Sequence, residues 1–381
     1  MMKFDNIKGN FGFGCMRFPM KDGEVDTKEV CKMVDAFIDA GFNYFDTAHG
    51  YLGGKSETAL RECLTSRYPR ASYILTNKLS NPHFEKESDI RPLFDEQLKA
   101  CGVDYFDFYL MHAQNRTNFK KYKACRAYET AFELKKEGKV KHVGLSFHDT
   151  ADILDMILTE QPQIEAVQLQ INYLDWEDEG IESRKCFEVA RKHNKPIMVM
   201  EAFKGGFLAD VPAEAEKIMK DYNPDASVVS WALRFVAGLD DTCVILTGAS
   251  SIDQMKENIS EFKDFTPLND EEYEIIKEVS EIINSNITVD CTKCRYCVDS
   301  CPEEIDIAKI FDFYNKEKLL GEQVWSPFGN AYVNYSKLPN VGLASDCSEC
   351  GICIEECPQH INIPEVLKDV AKTFETEGYG F

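Results

Sequence analysis

No apolar run in this chain approaches the roughly 18 residues a membrane-spanning helix needs, so no bilayer-spanning segment is expected. Positive charge is also scarce. Lys and Arg number 43 against 65 Asp and Glu, a formal net charge of −22. Nucleic acids and anionic membranes both need a cationic face, so neither is expected as a partner. The opening MMKFDNIKGN lacks an apolar centre and a small-residue cleavage site. No secretory leader is therefore expected, and a cytoplasmic location is. A third glycine is missing from Gly12-Phe-Gly14-Cys15, followed by Met16-Arg17-Phe18-Pro19, so a dinucleotide-binding glycine loop is not supported there. With 44% hydrophobic residues among 381, the chain can bury a large core and has room for one large domain and one small one.

Cysteine is what the chain has in quantity: fifteen. Without a leader, thiolate metal chemistry is expected rather than disulfides. Seven cysteines (Cys15, Cys31, Cys63, Cys101, Cys125, Cys186 and Cys243) are scattered and read as small buried hydrophobes. The other eight form one phrase written twice. Cys291-Thr-Lys-Cys294-Arg-Tyr-Cys297-Val-Asp-Ser-Cys301-Pro302 is followed by Cys347-Ser-Glu-Cys350-Gly-Ile-Cys353-Ile-Glu-Glu-Cys357-Pro358. Structural zinc usually takes separated C-x2-C pairs. Three cysteines at equal spacing and a fourth before proline suit a [4Fe–4S] cluster instead.

The phrase resembles the bacterial ferredoxin run, which implies two [4Fe–4S] clusters with crossed ligation. Cys291, Cys294, Cys297 and Cys357 would hold one; Cys347, Cys350, Cys353 and Cys301 would hold the other. The 45 residues between Cys301 and Cys347 exceed the spacing of compact ferredoxins. Helical text follows each phrase, from Ile305 and from Ile361. That is similar to the α-helical ferredoxin domains that serve larger redox enzymes. Residues 286–381 are expected to form this domain, with 8 basic and 16 acidic residues. An anaerobic setting and an external ferredoxin or other electron carrier as partner are expected with it.

Residues 1–285 alternate strand and helix. Strands are expected at 11–16, 43–46, 72–77, 105–111, 140–145, 165–170, 197–200 and 242–247. Helices are expected at 27–40, 56–65, 86–100, 122–137, 150–159, 180–193, 225–237 and 252–263. Eight such units make the count of a (β/α)8 TIM barrel. A doubly wound sheet is the alternative, because alternation alone does not establish closure.

In a barrel the reacting groups belong at the C-terminal ends of strands. Asp46 and Tyr51 follow the second expected strand, Lys78 ends the third and His112 ends the fourth. This set suits proton donation to a carbonyl as it receives hydride. A free tyrosine has a pKa near ~10, and a neighbouring lysine favours its phenolate. An aspartate would keep that lysine charged, and a histidine can position the carbonyl oxygen.

These residues resemble the Asp–Tyr–Lys–His tetrad of the aldo/keto reductase family, in D-T-A-x-x-Y and T-x-K contexts. The resemblance implies Tyr51 as acid, Lys78 as its tuner, Asp46 as the anchor of Lys78 and His112 as substrate guide. It also implies a nicotinamide site. Ser146 and Gln168 match the family's carboxamide-binding positions, although Phe147 replaces an asparagine. Met200 stands where a stacking tyrosine is usual. Gly205 and Gly206 could offer backbone N–H groups to a pyrophosphate. Gly248, Ser250, Ser251, Gln254, Glu257 and Asn258 resemble the family's adenosine segment, where small residues and a helix start suit a phosphate. Gly248 and Gln254 replace the cations that some relatives aim at a 2′-phosphate, so NADPH rather than NADH rests on the family alone.

The expected function is reduction of a small carbonyl compound, or oxidation of the alcohol, with NAD(P)H and two [4Fe–4S] clusters. A bridge between hydride and single electrons is needed, and nicotinamide or a flavin could supply it. The alternative is a nucleotide-binding redox sensor or electron-transfer subunit with little carbonyl turnover.

Overall fold

In the computed structural model, residues 4–263, 266–320 and 327–376 are described. Eight strands close into a parallel barrel: β1 Phe11–Gly14, β2 Tyr44–Asp46, β3 Ile74–Leu79, β4 Phe106–Gln114, β5 Val140–Phe147, β6 Ala166–Gln170, β7 Ile197–Met200 and β8 Thr242–Thr247. Closure comes from pairing of β1 with both β2 and β8. That settles the architecture against a doubly wound sheet, which keeps open edges. All eight expected strands are present. Their apolar text suits strands covered on both faces by barrel interior and helices.

Helices pack outside through apolar residues at helical spacing. In Thr27–Asp39 the buried face is Val30, Met33, Val34 and Phe37, and Asp26 caps the helix by accepting from the Glu29 N–H. Phe11 of β1 stacks on Phe262 of helix Ile252–Lys263, with ring centroids 4.0 Å apart, so ring packing as well as area fixes that helix. Inside the barrel, Phe4 and Ile7 pack with Tyr44, Phe108, Met198 and Val244 in one buried cluster. Polar groups in that layer are paired: Thr76 donates to Tyr44 Oη at 2.7 Å.

Three local features differ from expectation. The helix expected at 122–137 is two helices, Arg116–Ala124 and Ala127–Lys136. Asn115 caps the first, and Arg126 breaks the run with a left-handed φ of 53°. A helix Ala213–Tyr222 begins after Pro212, whose fixed φ suits a helix entry. Cys31 and Cys63 form a disulfide, contrary to the expectation of separate thiols. Its cause is tertiary: the packed helical segments bring their Cα atoms to 4.6 Å.

The chain divides into two compact units. Met1–Phe203 with Ser227–Asp270 forms the first; Lys204–Ala226 with Glu271–Phe381 forms the second. The residue 285/286 boundary therefore lies inside the second unit. Helix Asp270–Asn286 contributes buried Ile276, Val279 and Ile283. The core of the second unit joins Ile305, Ile310, Phe311, Tyr332, Leu367 and Phe374 with Cys297, Cys353 and Cys357. Among the described residues, no helix is long and apolar enough to cross a membrane.

Candidate active site and cysteine cavities

The tetrad residues converge at the strand ends of the first unit. Asp46 is the last residue of β2, and its neighbour across β3 is Thr76, two residues before Lys78. With a period of two, Thr76 and Lys78 point to the same face, the barrel interior. Lys78 is fully buried, and its ammonium pairs with Asp46. It also donates to Thr47 O at 3.0 Å and to Tyr51 Oη at 3.2 Å. All three ammonium hydrogens thus have an acceptor, the condition under which a buried ion pair is tolerated. The Tyr51 and His112 rings meet edge-to-face with centroids 5.8 Å apart.

A second network lies behind Lys78, and the motif reading missed it. Glu57 is buried and accepts from Asn77 Nδ2 at 2.7 Å. Its other oxygen pairs with His49 Nδ1 at 2.8 Å. Asn77 Oδ1 accepts from Gln97 at 3.0 Å, and Tyr109 donates to Gln97 at 2.7 Å. Gln97 also donates to the Lys78 carbonyl, so the backbone of Lys78 is held from outside the barrel. Satisfied polar networks of this kind fix one arrangement.

The two histidines are pushed in opposite directions. Burial, with the Lys78 charge behind it, lowers His112 well below 6.5, so its imidazole is neutral. Ser80 Oγ sits 2.6 Å from its Nδ1 and sets its orientation. His49 is raised above 6.5 by its hydrogen bond to Glu57. The stability consequences follow from proton linkage. His112 costs nothing above its unfolded value; stability is lost as pH falls from there through its depressed folded value. His49 has the opposite sign, its contribution being present in acid and lost as pH rises through its raised value. We therefore expect His112→Asn to flatten the acid loss of stability. Denaturation midpoints at about pH 7.5 and about pH 5.5 should lie closer together in the variant than in the parent; an unchanged gap counts against a buried neutral His112.

The expected nucleotide residues divide by structure. Gln168, on β6, donates to Asp46 Oδ2 at 3.0 Å, so it braces the tetrad carboxylate. Ser146, on β5, accepts from the Ala113 N–H at 2.8 Å and keeps its own hydroxyl hydrogen for another acceptor. Met200 ends β7 and is half-buried. Gln254 folds back to accept from the Ser250 N–H at 2.8 Å, and Ser251 Oγ accepts from the Gln254 N–H. Asn258 donates to Thr247 Oγ1 at 2.5 Å. Gln254 and Asn258 therefore shape this loop. Glu257, beside them on the same helix, is exposed.

A cation that the sequence reading passed over lies here. A Cβ on Gly248 would come within 3.2 Å of Arg17 Cδ, so glycine makes room for the arginine. Arg17 lies 3.7 Å from Glu201. Hydroxyls, an amide and a guanidinium make a donor set that fits a nicotinamide nucleotide. Gly205 is different: it belongs to the second unit, and a Cβ there would meet Thr292 O at 2.4 Å. Close packing against that backbone calls for glycine at this position. Gly206, at φ 106°, completes the same turn.

In the second unit the cysteines line two small pockets. One is walled by Cys291, Cys294, Cys297 and Cys357. The other is walled by Cys301, Cys347, Cys350 and Cys353. Each set takes three cysteines from one phrase and one from the other. Among the described residues, no three His, Cys, Asp or Glu side chains converge as ligands of a single ion. Four cysteines gathered at each pocket from both phrases suit a multi-iron cluster. Burial pushes the Cys291 and Cys353 thiols up to about 11. Such groups become thiolates at neutral pH only beside a metal charge.

A buried Asp–Lys–Tyr array with a histidine at the strand ends, and a unit built around eight thiols, mark an oxidoreductase that carries an iron–sulfur domain. The chain belongs to the aldo/keto reductase family, whose model matches residues 10–281. Residues 290–362 match the 4Fe-4S dicluster domain, which carries two [4Fe–4S] clusters. Relatives include the uncharacterised oxidoreductase YqkF of Bacillus subtilis (strain 168), 25% identical over 65% of this chain and 85% of the relative. The NADH-specific methylglyoxal reductase of Escherichia coli (strain K12) is 23% identical over 70% of this chain and 91% of its own. Among solved structures, an aldo-keto reductase from Bacillus halodurans in its holo form superposes with TM-score 0.58. It is 24% identical and covers 71% of this chain and 91% of its own. One from Klebsiella pneumoniae in complex with NADPH gives TM-score 0.57 at 18% identity, over 71% of this chain and 90% of its own.

Proposed function

We propose that the barrel reduces a small carbonyl compound, or oxidises the corresponding alcohol, and exchanges electrons with the two clusters of the second unit. One observation carries this reading: the buried Lys78 ammonium joins Asp46 to the Tyr51 hydroxyl, 3.2 Å away. Nicotinamide, when bound, supplies the hydride. Tyr51 Oη delivers the proton to the carbonyl oxygen, and Lys78 stabilises the phenolate left behind. Asp46, braced by Gln168, holds Lys78 charged and in place. His112, neutral and oriented by Ser80, guides the carbonyl oxygen. Ser146 and Met200 line the nicotinamide side, and Arg17 with residues 248–258 takes the phosphate and adenosine end. The crossed cysteine sets hold the clusters.

A hydride carries two electrons and each cluster passes one. The two clusters together could hold one hydride's electrons, its proton going to solvent, provided that a carrier able to take both kinds of step, such as a flavin, stood between nicotinamide and the clusters. An external ferredoxin or similar carrier would complete the exchange. The relative named for methylglyoxal makes small 2-oxoaldehydes the first carbonyls to try. The test is anoxic: titrate NADH and NADPH, then screen aldehydes, ketones and quinones for turnover. Turnover of a carbonyl that stops without nicotinamide supports the reading. Met200 at the stacking position motivates the second reading, a nucleotide-binding redox sensor or electron-transfer subunit. Tight nucleotide binding with no turnover of any carbonyl would favour it.

A further inference from the structure

Two lysines are buried among the described residues, Lys78 and Lys204. The first belongs to the tetrad; the second, 1% exposed, has no part in it. Lys204 Nζ lies 2.7 Å from Asp290 Oδ2 and donates to Gln359 Oε1 at 3.2 Å. Asp290 immediately precedes Cys291, and Gln359 follows Cys357-Pro358. One ammonium thus ties together the two distant segments that bring Cys291 and Cys357 to the same cavity. The backbone is committed to this placement. Lys204 takes a left-handed φ of 44°, a cost that surrounding contacts must hold in place. Gly205 is pressed against Thr292 O, between Cys291 and Cys294 in the chain.

Among the described residues, no lysine or arginine lines the other cavity. Asp346, which precedes Cys347 as Asp290 precedes Cys291, accepts from the Leu343 N–H at 2.8 Å. Glu303 stands after Cys301-Pro302 where Gln359 stands after Cys357-Pro358. Lys368 pairs with Glu349 at 2.9 Å, but both are exposed and screened by water. Cys350 is itself exposed, whereas Cys297 and Cys357 are buried.

Each cluster gains one negative charge when it takes one electron. Burial opposes that gain, and a fixed positive charge nearby offsets the opposition. Resting on the cluster assignment above, we propose that Lys204 selectively raises the reduction potential of the cluster held by Cys291, Cys294, Cys297 and Cys357. Water serves the more exposed cluster in its place. Lys204 is thereby a positioning residue that keeps the enclosed cluster reducible.

The test is an EPR-monitored dithionite titration of anoxic, iron- and sulfide-reconstituted full-length protein. Lys204→Met should move one couple to lower potential and leave the other in place, at unchanged iron content. Asp290→Asn keeps the ammonium, removes its carboxylate partner and should move the same couple upward. Opposite shifts confined to one couple support the proposal. No shift in either variant, or equal shifts of both couples, overturns it. If Lys204→Met loses iron, Asp290→Asn and the charge-keeping Lys204→Arg decide: an upward shift in the first and a retained couple in the second support it, and their absence overturns it. Failure of the parent protein to take up iron would instead overturn the cluster assignment, a result distinct from unmoved potentials.

Discussion

Tyr51→Phe is expected to abolish carbonyl turnover while leaving iron content and nucleotide binding intact. The substitution deletes one oxygen and keeps the ring, so its edge-to-face contact with His112 is preserved. Lys78 keeps its pairing with Asp46 and with Thr47 O, so no buried charge is stranded. What disappears is the hydroxyl proposed to give the carbonyl oxygen its proton. Loss of a general acid is worth roughly 10²–10⁴ in rate, and the fall should appear in kcat rather than in cofactor affinity. Lys78→Met acts on the same phenol indirectly, but it strands Asp46 in the barrel, so a folding defect would obscure it. A Tyr51→Phe enzyme within a few-fold of the parent would end the assignment of Tyr51 as acid.

The second large effect concerns which cysteines fail together. Under the crossed arrangement, Cys301→Ala and Cys353→Ala remove the same cluster although they lie in different phrases. Each should lower iron from about eight to about four atoms per chain, and the double variant should lose no more. Cys301→Ala combined with Cys357→Ala should lose nearly all of it, because the two ligands serve different cavities. Such non-additivity is the mark of residues acting as one unit. If Cys301 shared its signal with Cys291, Cys294 and Cys297, the ligation would be uncrossed. Alanine is the better replacement, since a serine oxygen can still approach iron.

Much of this molecule could be read from its text, for identifiable reasons. Parallel barrel strands are buried on both sides, so each appears as a short apolar run bounded by turns. The eight runs from Phe11 to Thr247 stand clear of the amphipathic helices between them. The tetrad was legible because its members sit at strand ends in short fixed contexts. The support of Lys78 was not. Glu57, Asn77 and Gln97 lie 20 residues apart along the chain and belong to ordinary-looking segments; only folding brings them together. Gln168 was read as a ligand of the cofactor, yet its amide also braces Asp46, a contact 122 residues long. Arg17 stands near the start of the barrel text and Gly248 near its end, so no local spacing links them. Lys204 and Gly205 sit in text that reads as a barrel loop, while their contacts lie with Asp290, Thr292 and Gln359. The Cys31–Cys63 bond is a matter of helix placement that spacing does not encode.

The exchange of one cysteine between phrases has a consequence for biosynthesis. Neither cavity has its four thiols until the second phrase has left the ribosome, since one needs Cys353 and the other needs Cys357. The barrel strands, all complete by Thr247, are synthesised well before that point. Under crossed ligation, a full set of four thiols at either cavity therefore waits for the second phrase, after the barrel strands have been made. A nascent chain interrupted between Cys301 and Cys347 carries four of the eight thiols in the twin phrases but a complete set for neither cavity.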